Sequence, residues 1–487
     1  MLIKVELDAG STPHPGSTTS RMRWAARMVF RMVAIGLAIA IVVAACHDVS
    51  KAWDVWMYHL PFAGRIAGLV DPEVYVFSVA NRQRFEGFPL LAEALQGLAW
   101  RLTGRPECAN LVSVAGLGLL VLFLKRRFAV PASLSLLAFL AIPLVQIHVT
   151  AAYVDLPANA CATLLALVTY QALVSTAPPS PRQLALAAVL ATATANMKFQ
   201  LVPVVLGCAV VQLVRSLRSE DRRLARLGVI ALALPFVFAT PIKNVIVHGN
   251  PVWPVEIHIP GFHVPFAETA YASSPRWLEH VPRPVRFACS VLEVGARPIT
   301  EGHRWSIDQW TPPDEPGYRM GGFFGAFVLV NLVALAVAVA RRRSRENVVA
   351  AAFFAGLTAL VSMLPQSHEL RYYLVWMLTL VSLNLVVWSR ERPLAVGTAC
   401  AAALAVVAYS TGGTYLVPSG DSFATVLSTH VDRARLDAIA PGERVCIDRQ
   451  PWTFLWSPQF HARPSYVVQE AEDPSDCRGV RSLDDSR

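Results

Sequence analysis

The chain has 487 residues, 54% hydrophobic and 16% charged, against about 25% charged in an average soluble domain, so it cannot coat a water-facing surface of that size and a simple soluble enzyme is excluded. The apolar residues fall into repeated blocks of about 15–20, close to the length that spans a bilayer's hydrocarbon core, and the chain reads as a polytopic membrane protein. Its net charge of +9 is clustered at the ends of those blocks, as cytoplasmic anchors are, which points to membrane lipids as partners and not to nucleic acid.

Residues 1–27 read as a cytoplasmic tail, because Arg21, Arg23, Arg27 and Arg31 precede and enter the first apolar run and no A-x-A cleavage site follows it. The first span, 28–46, leads out into a loop over 47–106. The second, 107–124, ends in Lys125, Arg126 and Arg127, an inside signal. The third, 130–147, runs out to a short His148–Val154 link, and the fourth, 155–174, returns to the Pro-rich turn before Arg182. Spans five and six, 183–197 and 199–214, are short and flank Lys198, which puts that lysine near the outer surface; Arg215, Arg218, Arg222, Arg223 and Arg226 follow inside. Span seven, 227–246, opens into a polar outer loop over 247–320, and span eight, 321–340, ends at Arg341, Arg342, Arg343 and Arg345. Spans nine (347–364) and ten (370–388) flank the outer link PQSHELRYY, and span eleven (393–411) leaves 412–487 outside.

The expected architecture is therefore an all-α polytopic membrane protein: a transmembrane domain over 28–411 with about eleven helices and interfacial helices in the first outer loop, then a small α/β extracytoplasmic domain. Residues 88–103 carry Glu93 and Arg101 and read as an amphipathic helix on the outer interface. The tail holds a helical stretch, FATVLSTHVDRARLDAI, and strand-like runs RVCID (444–448) and PSYVVQ (464–469). Cys446 and Cys477 are its two cysteines, and their pairing is left open. The other apolar-run cysteines, Cys46, Cys108, Cys161, Cys208 and Cys400, show no metal-ligand spacing and read as small core residues.

The informative residues are the polar ones at the outer ends of spans: Asp54 and Tyr58 after span one, Asp155 opening span four, Lys198 between spans five and six, and His368, Glu369, Arg371 and Tyr372 between spans nine and ten. Any one of them also fits an interfacial anchor or a solvated helix cap, and their shared face is what carries the argument. Asp54 and Tyr58 are four residues apart on a surface helix, WDVWMYHLPFAGRIAG. His59 stands beside Tyr58. HGNPVWP (248–254), with His248 and Asn250, lies at the outer end of span seven and reads either as cavity lining or as a Pro/Asn/Gly turn.

The first outer loop resembles that of the GT-C superfamily of integral-membrane glycosyltransferases, in the bacterial branch related to protein O-mannosyltransferases and the aminoarabinose lipid A transferase. The family pattern D-E-x-x-Y is matched by Asp54 and Tyr58, with Val55 in place of the Glu. Where family members carry Lys-Pro-Pro, this chain has Gly87, Phe88 and Pro89. Asp155, ATANMKFQLVP ending its helix near Lys198, HGNPVWP and HELRYYLVW are similar to further family segments in the same order. The resemblance implies transfer of a sugar from a polyprenyl-phosphate donor to a hydroxyl of a glycan, lipid or protein at the outer face of a bacterial cytoplasmic membrane, with no cofactor and no metal. On that reading Asp54 is the general base of an inverting displacement, and Lys198 and Arg371 hold the leaving phosphate. On the same reading Tyr58, His59, Asp155, His248, Asn250, His368, Glu369 and Tyr372 are the residues expected to contact substrate. A lipid or glycan transporter or flippase is the alternative, although the chain shows no internal repeat.

Overall fold

The computed structural model describes residues 18–218, 220–259, 262–264, 274–300, 304–305, 319–448 and 452–483. Residues 1–17 of the expected N-terminal tail and much of the 247–320 loop lie outside this set. Among the described residues, seven helices are long and apolar enough to cross a membrane: Arg21–His47, Pro106–Phe128, Asp155–Val174, Phe199–Leu217, Arg345–Met363, Leu370–Glu391 and Pro393–Ser410. They overlie seven of the expected spans. Two more expected spans are bent helix pairs, which brings the number to nine if each pair counts as one crossing.

Both bends have a chemical cause. Ala132–Leu140 and Pro143–Val149 meet at 100°, because Ile142 is extended and Pro143, with no N–H to give, begins a new helix. Arg223–Val237 and Ala239–His248 meet at 50°, just after Pro235 removes a bond from the helical ladder. The remaining two expected spans are Pro181–Met197 and Gly325–Arg341, each 17 residues, shorter than the roughly 20 of an ordinary crossing.

The basic clusters meet at one end of the bundle. Arg215 donates to the carbonyl of Ser175 at 2.7 Å, Arg345 to those of Leu173 and Ser175, and Arg390 to that of Phe128 at 2.9 Å. Each guanidinium thus satisfies a main-chain carbonyl at or just past a helix C-terminus, where the macrodipole also favours a cation. Asp155–Val174 and Leu370–Glu391 are the most enclosed helices and run through the centre of the bundle.

At the opposite end lie the first loop and the tail. The loop holds a π-turn, Val55–His59, continued by the helix Leu60–Ile66, then Val79–Gly87 and the amphipathic helix Leu91–Thr103. A Cβ on Gly97 would sit 2.2 Å from the Ala63 carbonyl oxygen, so only glycine lets these helices touch. Six short strands complete the described fold: β1 (Tyr75–Val76), the antiparallel hairpin β2 (Ile257–Ile259) and β3 (Phe262–Val264), then β4 (Arg444–Asp448), β5 (Val467–Ala471) and β6 (Arg481–Ser482).

Strands β1, β5, β4 and β6 form one parallel sheet in that order. Its edge strand comes from the first loop, so the expected boundary at 412 does not separate two sheets. Strand β4 coincides with RVCID, β5 begins three residues later than PSYVVQ, and the helical stretch is split into Phe423–His430 and Arg433–Asp437, where Asp432 caps the second piece. Trp56, Phe62, Tyr75 and Trp100 of the loop share a core with Phe454, Leu455, Tyr466 and Val468 of the tail. Cys446 and Cys477 are joined by a disulfide.

Candidate functional site

Asp54 precedes the π-turn, and its carboxylate caps no helix N–H. Its Oδ2 instead accepts from Arg371 Nη1 at 2.8 Å. Arg371 sits in a short turn, Leu370–Tyr373, that feeds the central helix. Its Nη2 donates to the Tyr372 hydroxyl at 3.0 Å, and its Nε lies 3.6 Å from Glu369 Oε2. Glu369 Oε1 is 3.3 Å from Arg319 Nη1.

A second pair stands beside the first. Lys198 occupies an extended break between Met197 and Phe199, and its Nζ donates to Asp155 Oδ1 at 2.6 Å. That ammonium also lies 4.3 Å from the centre of the Tyr372 ring, on which the Arg371 guanidinium packs at 4.8 Å, so one aromatic side chain joins both cations by cation–π contact. Asn159 fixes the geometry from the next helical turn: its amide donates to the carbonyl of Asp155 at 2.8 Å and accepts from the Val375 N–H at 2.9 Å. The cluster balances, with Asp54, Asp155 and Glu369 against Lys198, Arg319 and Arg371.

Burial and charge pull against each other here. Burial pushes the Asp54 carboxyl up, but the Arg371 guanidinium and then His59 outweigh it and hold the group below the usual carboxylate range. For Glu369 burial wins over Arg371 and Arg319, and its carboxyl is raised. Burial lowers Lys198 despite the nearby Asp155, and lowers Arg319 despite Glu369. Burial also pushes the Tyr58 phenol well up, with Asp54 adding to it.

The other expected residues divide into neighbours and outliers. His59 is buried and its Nδ1 lies 2.8 Å from Glu93 Oε1 on the amphipathic helix; its ring packs at a tilt against that of Tyr58, with centroids 4.3 Å apart. His368 is buried and its carbonyl accepts from Ser290 Oγ. Asn250 holds a turn, accepting from Val252 N–H and donating to the Val255 carbonyl, and His248 stacks on Trp253 at 4.5 Å. These two share no hydrogen bond or ion pair with the Asp54 cluster among the contacts of the described residues.

Sequence reasoning did not single out Arg319, Asn159, His148 or Tyr153. His148 Nε2 lies 4.0 Å from Asp155 Oδ2, and Tyr153 lies under the Arg371 guanidinium at 5.7 Å. The absence of Lys and Arg from the His148–Val154 link hid it, since the charge bookkeeping gave it no weight. Among the described residues, no group of three or more His, Cys, Asp or Glu is placed to hold a metal ion.

No family model and no curated protein matches the sequence. A solved structure has a similar fold: ArnT from Cupriavidus metallidurans in the apo state aligns over 95% of this chain and 90% of its own, with a TM-score of 0.53 and 12% identity. The chain has the ArnT fold. A second structure of that protein, bound to undecaprenyl phosphate, covers 96% of this chain and 90% of its own with a TM-score of 0.49 and 12% identity. That likeness of fold runs along nearly the whole chain, the first outer loop and the tail included.

Proposed function

We propose that the chain crosses the membrane eleven times and transfers a sugar from a polyprenyl-phosphate donor to an acceptor hydroxyl at the outer face. The reading rests on one observation: the Asp54–Arg371 and Lys198–Asp155 pairs stand side by side on Tyr372, at the end of the bundle opposite the arginine-capped helix ends. That end is where a lipid-linked sugar keeps its phosphate and its sugar when its chain lies in the bilayer.

Two cations within contact of one ring supply what a leaving phosphate needs, and a low-dielectric surround makes them worth more than in water. The donor phosphate takes over part of the Arg371 guanidinium and leaves Asp54 free to accept a proton. The acceptor oxygen then attacks the anomeric carbon, the bond from that carbon to the phosphate oxygen breaks, and the hydroxyl proton passes to Asp54, with inversion. Asp155 holds Lys198 in place, and Glu369 does the same for Arg371.

The test is transfer by the purified chain in lipid nanodiscs from a panel of undecaprenyl-phosphate hexoses and pentoses to cell-envelope lipid and glycan fractions. Release of undecaprenyl phosphate that depends on both donor and acceptor supports the reading. Movement of the intact lipid-linked sugar between leaflets without any such release would replace it with the flippase alternative.

A further inference from the structure

We infer that Asn81 and Glu470 are positioning residues, through which the C-terminal segment sets the turn that carries Asp54 and Tyr58; this rests on the catalytic role proposed for that turn. Val55–His59 is a π-turn, a geometry that widens the helix by one residue and is held only where its surroundings over-determine it. The Met57 carbonyl in that turn accepts from Asn81 Nδ2 at 3.0 Å, and the same Nδ2 donates to Glu470 Oε2 at 2.9 Å. Met57 is the residue before Tyr58 and the third after Asp54.

Glu470 lies on β5 in the tail, 389 residues from Asn81. The residue is 6% exposed, and its carboxylate takes two further donors from the first loop, the Tyr75 hydroxyl at 2.6 Å and the Ser78 N–H at 3.1 Å. Burying a carboxylate is costly unless it is well supplied with donors, and the segment 75–81 supplies three. Asn81 is fully buried and its Oδ1 has no partner, a cost set against the two bonds its Nδ2 makes. Strand pairing of β1 on β5, with Val468 N–H donating to the Val74 carbonyl at 2.8 Å, fixes the other end of the same segment. The tail thus reaches the proposed site through two hydrogen bonds, Glu470 to Asn81 and Asn81 to Met57.

Hydrogen exchange on the purified full-length chain reads this directly, because it follows local opening and requires no substrate. In Asn81→Ala the amides of 55–62 are expected to exchange at least tenfold faster, while those of β4 and β5 keep wild-type rates. In Glu470→Ala both 55–62 and 75–81 accelerate. Glu470→Gln restores protection, since its carboxamide oxygen accepts from Ser78 and Asn81 while its NH2 donates to the Tyr75 hydroxyl; this variant and Asn81→Ala carry the test if Glu470→Ala does not fold. Turnover in Asn81→Ala falls by about 10²-fold with the donor KM unchanged, the size of a misplaced reacting group. Wild-type protection over 55–62 in Asn81→Ala overturns the relay whatever the turnover. Lost protection in a protein whose wild type transfers no sugar would sink the proposed activity and leave the relay standing.

Discussion

Arg371 Nη1 and Asp54 Oδ2 stand 2.8 Å apart across 317 residues of chain, so a candidate phosphate ligand and a candidate general base form a single ion pair. Neither group is idle. On the proposed mechanism an incoming phosphate competes with Asp54 for the guanidinium, and the same competition that would seat the donor would expose the base.

The competition separates binding from chemistry. Asp54→Asn is expected to lower turnover by about 10²–10⁴-fold, the usual size of a lost general base. Undecaprenyl phosphate binding should stay equal or become tighter, because the neutral amide no longer occupies Arg371. Titrating that lipid against wild type and variant on the same preparation decides it: full turnover removes Asp54 as the base, and a large loss of affinity removes the competition.

Lys198 and Asp155 are both buried, at 7% and 2% exposure, and such pairs are costly to break from one side. Lys198→Met strips the buried Asp155 carboxylate of its ammonium partner and should destabilise the protein by about 3–5 kcal/mol. Adding Asp155→Asn removes the stranded charge and should recover much of the loss. Thermal unfolding in detergent measures both, and a double variant no more stable than Lys198→Met would mean that the pair is not what holds these helix ends. Lys198→Met should also weaken undecaprenyl phosphate binding, as should Arg371→Ala.

The spans were legible because hydrocarbon thickness and basic end clusters act locally, and positions such as Asp155 at a helix start follow from the same rule. Asp54, Asp155, Lys198 and Arg371 were placed on one face by that bookkeeping alone. What it could not yield is who pairs with whom. Arg319 lies in a loop with no periodicity, yet it meets Glu369; His59 meets Glu93 across two helices of the first loop. Strand β1 is two residues long and has no signal of its own, since its strand character is imposed by β5. The bends at Pro143 and after Pro235 were readable in principle, but hydropathy continues smoothly through both.

Asp54 also sets a pH window. Its carboxyl is held below the ordinary 3.8 because Arg371 and His59 outweigh the burial that pushes it up. A depressed acid contributes stability that is complete above the unfolded value and is lost as pH falls through the folded one. The gap in unfolding midpoint between wild type and Asp54→Asn should therefore be constant from about pH 8 to about pH 5 and close only below the ordinary value of 3.8. A gap that closes between pH 5 and 7 would show that another group controls the pair. In the ligand-free protein Asp54 is thus ionised and paired with Arg371 throughout the neutral range.

The orientation of the bundle is open to a test that uses the tail's own chemistry. If the arginine-rich helix ends are cytoplasmic, fusions after Arg343 and after Gly420 should report opposite compartments, and the Cys446–Cys477 pair should sit where disulfides persist. Alkylation of whole cells should then leave both sulfurs unmodified until a reductant is added. The bridge spans 31 residues, for which loop-closure entropy gives about 3–4 kcal/mol, so Cys446→Ser/Cys477→Ser should lower the unfolding midpoint of the tail while the helices stay assembled. Because β5 and β1 share one sheet, loosening the tail should also speed hydrogen exchange at Tyr75 and Val76. Matching compartments for the two fusions, or free thiols in untreated cells, would place the tail inside and remove the outward-facing site.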